Sequence, residues 1–151
     1  MRKIVKDKNI LRQISKEWRV GTFEELGEIV DNMKEVMDEL DGIGIAAIQI
    51  GVPKRIFLAG KGDDTKLFVN AKILERSPFE KKHWEGCLSC DNIQVRTSRP
   101  SYVVIEYDTI VKGAWVRMKE KYKGHDAAVI MHEFDHMNGY LIEDRGKVYR
   151  P

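Results

Sequence analysis

From Thr22 onward, apolar residues return at helical spacing. Leu26, Ile29, Val30, Met33, Val36, Met37 and Leu40 form one stripe between charged positions. Thr22-Phe23-Glu24-Glu25 ahead of it has the form of a capping box, and Asp41-Gly42 closes it. The spacing predicts an N-terminal amphipathic helix whose methionines fill core space. Between Ile45 and Tyr122 the pattern changes to short β-type runs. Arg55–Ala59, Leu67–Leu74, Tyr102–Tyr107 and Ala114–Tyr122 are predicted strands, with breaks at Gly60-Lys61-Gly62-Asp63, Pro78, Pro100 and Lys112-Gly113. A second helical stretch is predicted over Asp126–Asn138, and Gly139 suits its C′ position. The opening Met1 to Arg19 is charged and mixed, with a short helical turn around Ile10-Leu11. No strand–helix–strand alternation occurs, which argues against a parallel sheet. The expected fold is α+β: antiparallel sheets packed around a C-terminal helix, with the amphipathic helix before them. Residues 1–151 read as one domain.

Composition narrows the function classes. Net charge is +2, from 26 basic and 24 acidic residues, too near balance to argue for DNA. Basic residues gather at the start (Arg2, Lys3, Lys6, Lys8) and the end (Arg145, Lys147, Arg150), as solvated termini do. No apolar run approaches a membrane span or a signal-peptide core, so the reading is a cytoplasmic protein with no membrane partner. Its two cysteines, Cys87 and Cys90, are then expected to be reduced, which favours ligand chemistry over a structural disulfide.

The candidate chemistry lies in His132-Glu133-Phe134-Asp135-His136. Two histidines four positions apart share one helix face and can reach one metal ion, with Glu133 beside them as a proton carrier. An open catalytic site needs a third protein ligand. Downstream only Glu143 and Asp144 offer one, and the third histidine of the extended metalloprotease pattern is replaced by Ile142. Upstream, His125 lies roughly 10 Å away along the helix axis, too far for the same ion. His83 sits in the charged run Glu80-Lys81-Lys82-His83 and reads as solvent-facing. Cys87 is the better candidate, in Glu85-Gly86-Cys87-Leu88-Ser89, where a glycine permits close backbone approach. Gly42-Ile43-Gly44 follows a helix and opens an extended segment, so it is no dinucleotide fingerprint.

Three segments together resemble the peptide deformylase family, in that family's order: Gly42-Ile43-Gly44-Ile45-Ala46-Ala47-Ile48-Gln49, Glu85-Gly86-Cys87-Leu88-Ser89, and His132 to His136 followed by Gly139. Asn70 and Asp144-Arg145 also fit, so the resemblance covers nearly the whole chain. It implies removal of the formyl group from formyl-methionyl nascent peptides, with a possible transient ribosome contact. It also implies one divalent ion on Cys87, His132 and His136. Iron(II) is the implied physiological ion, while ligand softness equally admits zinc, nickel or cobalt. Such an ion acidifies its water, and Glu133 would accept that proton and return it to the departing amine. The resemblance supplies two donors to the carbonyl oxygen, the Gln49 side-chain amide and the Leu88 backbone N–H. Without it, Gln49 reads as a polar residue at a strand end.

Substrate contacts are expected from Ile43, Gly44 and Ile45, whose segment can pair with an extended peptide, and from Gly86, which lets substrate approach closely. His125 and Val129, at the start of the second long helix, would line the methionine pocket. Ile45, Ile48, Cys90-Asp91, His125-Asp126 and Met131 depart from the family pattern, and the last helix is not followed by the long C-terminal helix of some members. Three alternatives stand beside this reading. One is a small metallopeptidase or amidase with the same site. Another is a closed structural zinc site on Cys87, Cys90, His132 and His136, which would leave Glu133 without a task. The third, a redox Cys87-x-x-Cys90, lacks the helix it would need.

Overall fold

The computed structural model describes residues 3–19 and 21–151. Expectations that rest on Met1, Arg2 and Val20 lie outside them.

A short helix α1 (Lys8–Leu11) is capped by Asp7, whose carboxylate accepts the Asn9 N–H. Helix α2 (Phe23–Glu39) begins where predicted, the Thr22 hydroxyl accepting the Glu25 N–H at 3.0 Å. Leu26, Met33, Val36 and Met37 are its buried stripe, while Ile29 and Val30 pack at the margin and Leu40 lies exposed beyond the end. This stripe covers Ile45, Ala47, Ile50, Ile56 and Leu58.

Five strands make the larger sheet, in the order β1 (Gly44–Ala46), β2 (Ile56–Ala59), β3 (Lys66–Arg76), β6 (Tyr102–Val111) and β7 (Ala114–Lys123). Every pairing is antiparallel. Asn70 interrupts β3 at a bulge. It adopts a left-handed backbone (φ 52°) and bonds the backbone of Trp18 through both ends of its amide, at 2.8 and 2.9 Å. Three strands that the hydrophobic pattern did not mark form a second antiparallel sheet: β4 (Glu80–Cys87), β5 (Cys90–Pro100) and β8 (Gly146–Tyr149), with β5 central. Pro100 ends β5, as its predicted breaker role requires.

Helix α3 (Gly124–Met137) starts two residues earlier than predicted, so His125 lies inside it. It packs on both sheets. Ala127, Ile130, Met131 and Met137 meet Phe57, Phe68, Val103, Ile105 and Tyr107 of the larger sheet. Its other side turns its polar residues toward β4 and β5. Gly139, in the C′ position, has φ +79°, and a Cβ there would lie 2.5 Å from the Arg12 carbonyl oxygen.

Candidate metal centre

Helix α3 and the β4–β5 hairpin bring the candidate ligands together. β4 carries a bulge between Glu85 and Cys87, at Gly86, just before the two-residue turn Leu88-Ser89. A bulge re-aims the next side chain, and here that side chain is Cys87. Its Sγ lies 3.4 Å from His136 Nε2, and the ligand atoms of Cys87, His132 and His136 all fall within 4.8 Å of one another. Bond lengths to a tetrahedral ion put sulfur and imidazole nitrogen about 3.5 Å apart, so the Cys87–His136 pair already has that spacing.

The tautomer of His132 follows from its partner. Its Nδ1 lies 2.9 Å from Glu85 Oε1, and an ionised carboxylate only accepts, so Nδ1 carries the proton and Nε2 keeps a free lone pair. Burial opposes charge on Glu85, but hydrogen bonds from Arg99 and His132 outweigh it and hold the carboxyl well below the usual range. Arg99 donates to Glu85 from Nε and Nη2, both at 2.8 Å, and from Nη1 to Asp135 Oδ2 at 2.6 Å. Thr97 donates to Glu85 as well. Arg145 closes the far side of Asp135 at 2.9 and 3.1 Å. A fully paired buried network therefore fixes one ligand histidine.

Glu133 is not part of that network. It is 4% exposed, its Oε1 has no hydrogen-bond partner among the described residues, and burial pushes its carboxyl up to about 7. Gly44 makes room for it, since a Cβ there would lie 2.5 Å from Glu133 Oε2. A carboxyl that titrates near neutrality beside an open ligand set is suited to carrying protons.

Gln49 sits in a 3-10 turn, Ala47–Ile50, rather than at a strand end. Its Oε1 accepts the Ala46 N–H at 2.9 Å, while Nε2 donates to Ser89 Oγ at 3.1 Å and lies 3.7 Å from Cys87 Sγ. A pocket of about 450 Å³ opens onto these groups. Ile43, Gly44, Gln49, Gly86, Leu88, His125, Val129, Cys87, His132 and Glu133 all line it. Two expectations need correction. Ile45 is fully buried in the core cluster beneath α2 and does not line the pocket, because its side chain points to the opposite face from Gly44. His83 does not face solvent: it lines the pocket wall, its Nε2 is buried, and burial lowers its pKa. The alternation that turns Glu85 inward turns His83 inward too.

Cys90 stands outside the ligand group. Its thiol donates to Glu143 Oε1 at 3.9 Å, so the four-ligand closed site lacks its fourth member. The two downstream candidates, Glu143 and Asp144, are held in ion pairs, Lys8 on Glu143 at 2.8 Å and Arg12 on Asp144 at 2.9 Å. Arg99 and Ser89 are the site residues that motif reasoning passed over. The available signal for Arg99 was an arginine in phase with Val95 and Thr97 on a strand, visible only once that strand is recognised.

Three protein donors, an open side facing a pocket and a buried carboxyl near neutrality define an open mononuclear metal site of the hydrolytic class. The comparisons give the family. A model of the polypeptide deformylase family matches residues 1–150. Peptide deformylase of Thermotoga neapolitana is 40% identical over 129 residues, 85% of this chain and 77% of that protein. The crystal structure of peptide deformylase from Thermotoga maritima superposes with a TM-score of 0.86 at 36% identity, covering 97% of this chain and 98% of that one. A Met-Ala-Ser-bound class I type b peptide deformylase from Acinetobacter baumannii gives 0.84 at 28% identity, over 94% and 96% of the two chains. The chain belongs to the polypeptide deformylase family.

Proposed function

We propose that this protein removes the formyl group from the N-terminal formyl-methionine of newly made proteins, in the cytoplasm, with iron(II) as its ion. The observation that carries the reading is the convergence of Cys87, His132 and His136 beside the unpartnered Glu133 carboxyl, at the floor of a pocket bounded by a sheet edge. An ion bound there supplies an acidified water and a Lewis acid for the carbonyl.

The residues of the chain do the rest. β1 is the edge of its sheet, and Ile43 accepts the Gly60 N–H at 2.9 Å, so alternation turns the backbone groups of Gly44 outward. An extended peptide adds there as a strand, which sets its formyl end against Glu133. Ile43, His125 and Val129 take the first side chain, and Gly86 leaves room on the opposite wall. Glu133 accepts the proton of the attacking water and hands it to the amine that leaves. The Leu88 N–H and the Gln49 amide serve the carbonyl oxygen. One Gln49 N–H stays on Ser89 while the other turns from Cys87 Sγ to that oxygen. The nascent chain is presented by the ribosome, with which contact is transient.

Protein purified without oxygen and assayed on a formyl-Met peptide tests the reading. Glu133→Ala should keep its metal and lose at least about 10²-fold in turnover, the scale of a general base. Cys87→Ser should lose the metal itself. Metal-loaded wild type that leaves the formyl peptide intact would end the proposal, and cleavage of an internal peptide bond instead would favour the metallopeptidase alternative.

A further inference from the structure

The second sheet has an outer face that carries none of the metal-site donors. Inward positions of β4, β5 and β8 carry Glu85, Val95, Thr97, Arg99 and Val148. Outward positions carry Lys82, Trp84, Gln94, Arg96, Ser98, Lys147 and Tyr149. Trp84, Arg96 and Lys147 stand in one cross-strand row. Trp84 and Tyr149 meet edge to face with ring centroids 4.8 Å apart, yet remain 54% and 43% exposed. Arg96 lies over the Trp84 ring at 5.1 Å, and Lys147 over Tyr149 at 5.5 Å.

What this face lacks is as informative. Among the described residues, Lys82, Arg96 and Lys147 make no ion pair, and the one acid on the face, Glu80, lies at its far end opposite Pro100. The larger sheet of the same molecule sets acids among its cations, although Lys72, Lys119 and Lys121 make no ion pair there among the described residues, and Lys121 lies over the Tyr102 ring at 4.1 Å. There Arg117 is paired with Glu106 at 2.6 Å and with Asp108 at 3.1 Å, and Lys66 with Glu120 at 3.6 Å. If the ladder served the sheet alone, cross-strand acids would do the same work. Three unneutralised cations among two exposed rings instead suit a flexible polyanion whose own rings can stack.

We propose that the outer face of the β4–β5–β8 sheet binds single-stranded RNA, bases stacking on Tyr149 and Trp84 and phosphates meeting Lys82, Arg96 and Lys147. Trp84 also lines the mouth of the metal pocket, so RNA held on this face lies beside the entrance. The choice of RNA over DNA rests on the deformylase reading, because a nascent chain is delivered by an RNA-rich particle. Binding to the face does not depend on that reading.

Fluorescence anisotropy with an unstructured 12-nucleotide RNA, titrated across salt concentrations, tests this. Wild type should bind with a steep salt dependence. The triple variant Lys82→Gln/Arg96→Gln/Lys147→Gln should lose about 2 from the log–log salt slope, roughly 0.7 per phosphate contact on a single strand. Tyr149→Leu should weaken binding roughly tenfold, the scale of one lost stacking platform. Should the triple variant fail to fold, Lys147→Gln alone, at an exposed position, should lower the slope by about 0.7. Deformylation of a free formyl peptide, measured on the same preparations, should be unchanged in Tyr149→Leu and Lys147→Gln. The proposal is overturned by absence of salt-dependent binding in wild type, by an unchanged slope in the lysine variants, or by unchanged affinity in Tyr149→Leu. Tighter binding of DNA of the same sequence would overturn the assignment to RNA. Loss of deformylation in wild type with RNA binding intact would count against the enzymatic reading alone.

Discussion

Gly44 shows how one missing side chain sets the chemistry. The first methyl placed there would meet Glu133 Oε2 at 2.5 Å, closer than real Cβ contacts come, and the three atoms nearest it all belong to Glu133. Gly44→Ala should therefore keep stoichiometric metal and lower kcat by about 10-fold or more, since a displacement near 1 Å at a proton carrier costs up to about 10². Metal analysis beside steady-state kinetics checks this, and loss of the ion would mean the glycine serves folding instead. Cys90 carries a different expectation. It faces Cys87 across a two-residue turn, in direct register, and both are free thiols. Once the ion leaves, a peroxide can oxidise the pair to a disulfide, two thiols and one peroxide giving one S–S bond and two waters. Intact mass of air-inactivated protein should show a loss of two hydrogens, reversed by thiol and metal. A gain of two oxygens on Cys87 would show sulfinic acid instead. Cys90→Ser should hold metal and turn over as wild type does.

At the scale of the element, β6 and β7 make a testable pair. Tyr107 and Tyr122 both donate to Glu120. Burial is the main reason that Tyr122 is pushed from 10.0 up to about 12, and it drives Tyr107 higher still. A tyrosine protonated in the folded chain and ionised in the unfolded one stabilises less as pH rises. Its contribution is complete below pH 10 and is lost between about 10 and 12. Melting temperature should fall across that window, and Tyr122→Phe should fall less steeply. Tyrosinate absorbance should show Tyr107 and Tyr122 titrating late, with Tyr102 also raised above the usual value; five tyrosines titrating together near 10 would refute the pairing. The elements also show what could be read beforehand. α2, α3, β2, β3, β6 and β7 were legible because each buries an apolar stripe or an apolar alternation. β4 and β5 were not, because their inward positions hold polar residues: His83, which lines the pocket, and Glu85, Thr97 and Arg99, which hydrogen-bond one another. The ligands were legible through motif spacing. The chain alone did not place Ile45 in the core, because that depends on how α2 lies across the sheet.

Across the whole molecule, Arg99 is the joint. It ties Glu85 of β4 to Asp135 of α3, with Arg145 of the C-terminal segment on the same carboxylate. Arg99→Met leaves two buried carboxylates short of a partner, which costs about 3–5 kcal/mol, or roughly 10 °C or more in Tm for a chain of this size. Because Glu85 would lose its anchor, His132 should hold the ion 10–100-fold more weakly as well. Calorimetry and a competition assay with a chelator check the two effects. A variant that melts lower yet binds metal as before would separate the scaffold from the site.

The three-residue length of β1 has a consequence for the molecule in company. The edge proposed to take a peptide strand is also a template for another copy of the same protein, and long flat edges polymerise. Here the Asp41-Gly42 turn before it and the 3-10 turn after it cut the template short. On the proposed function a few backbone hydrogen bonds suffice, because the metal centre would secure the end of the guest. They are too few to recruit a neighbour that has no such anchor. The brevity of the strand thus guards against self-assembly as much as it shapes a binding groove.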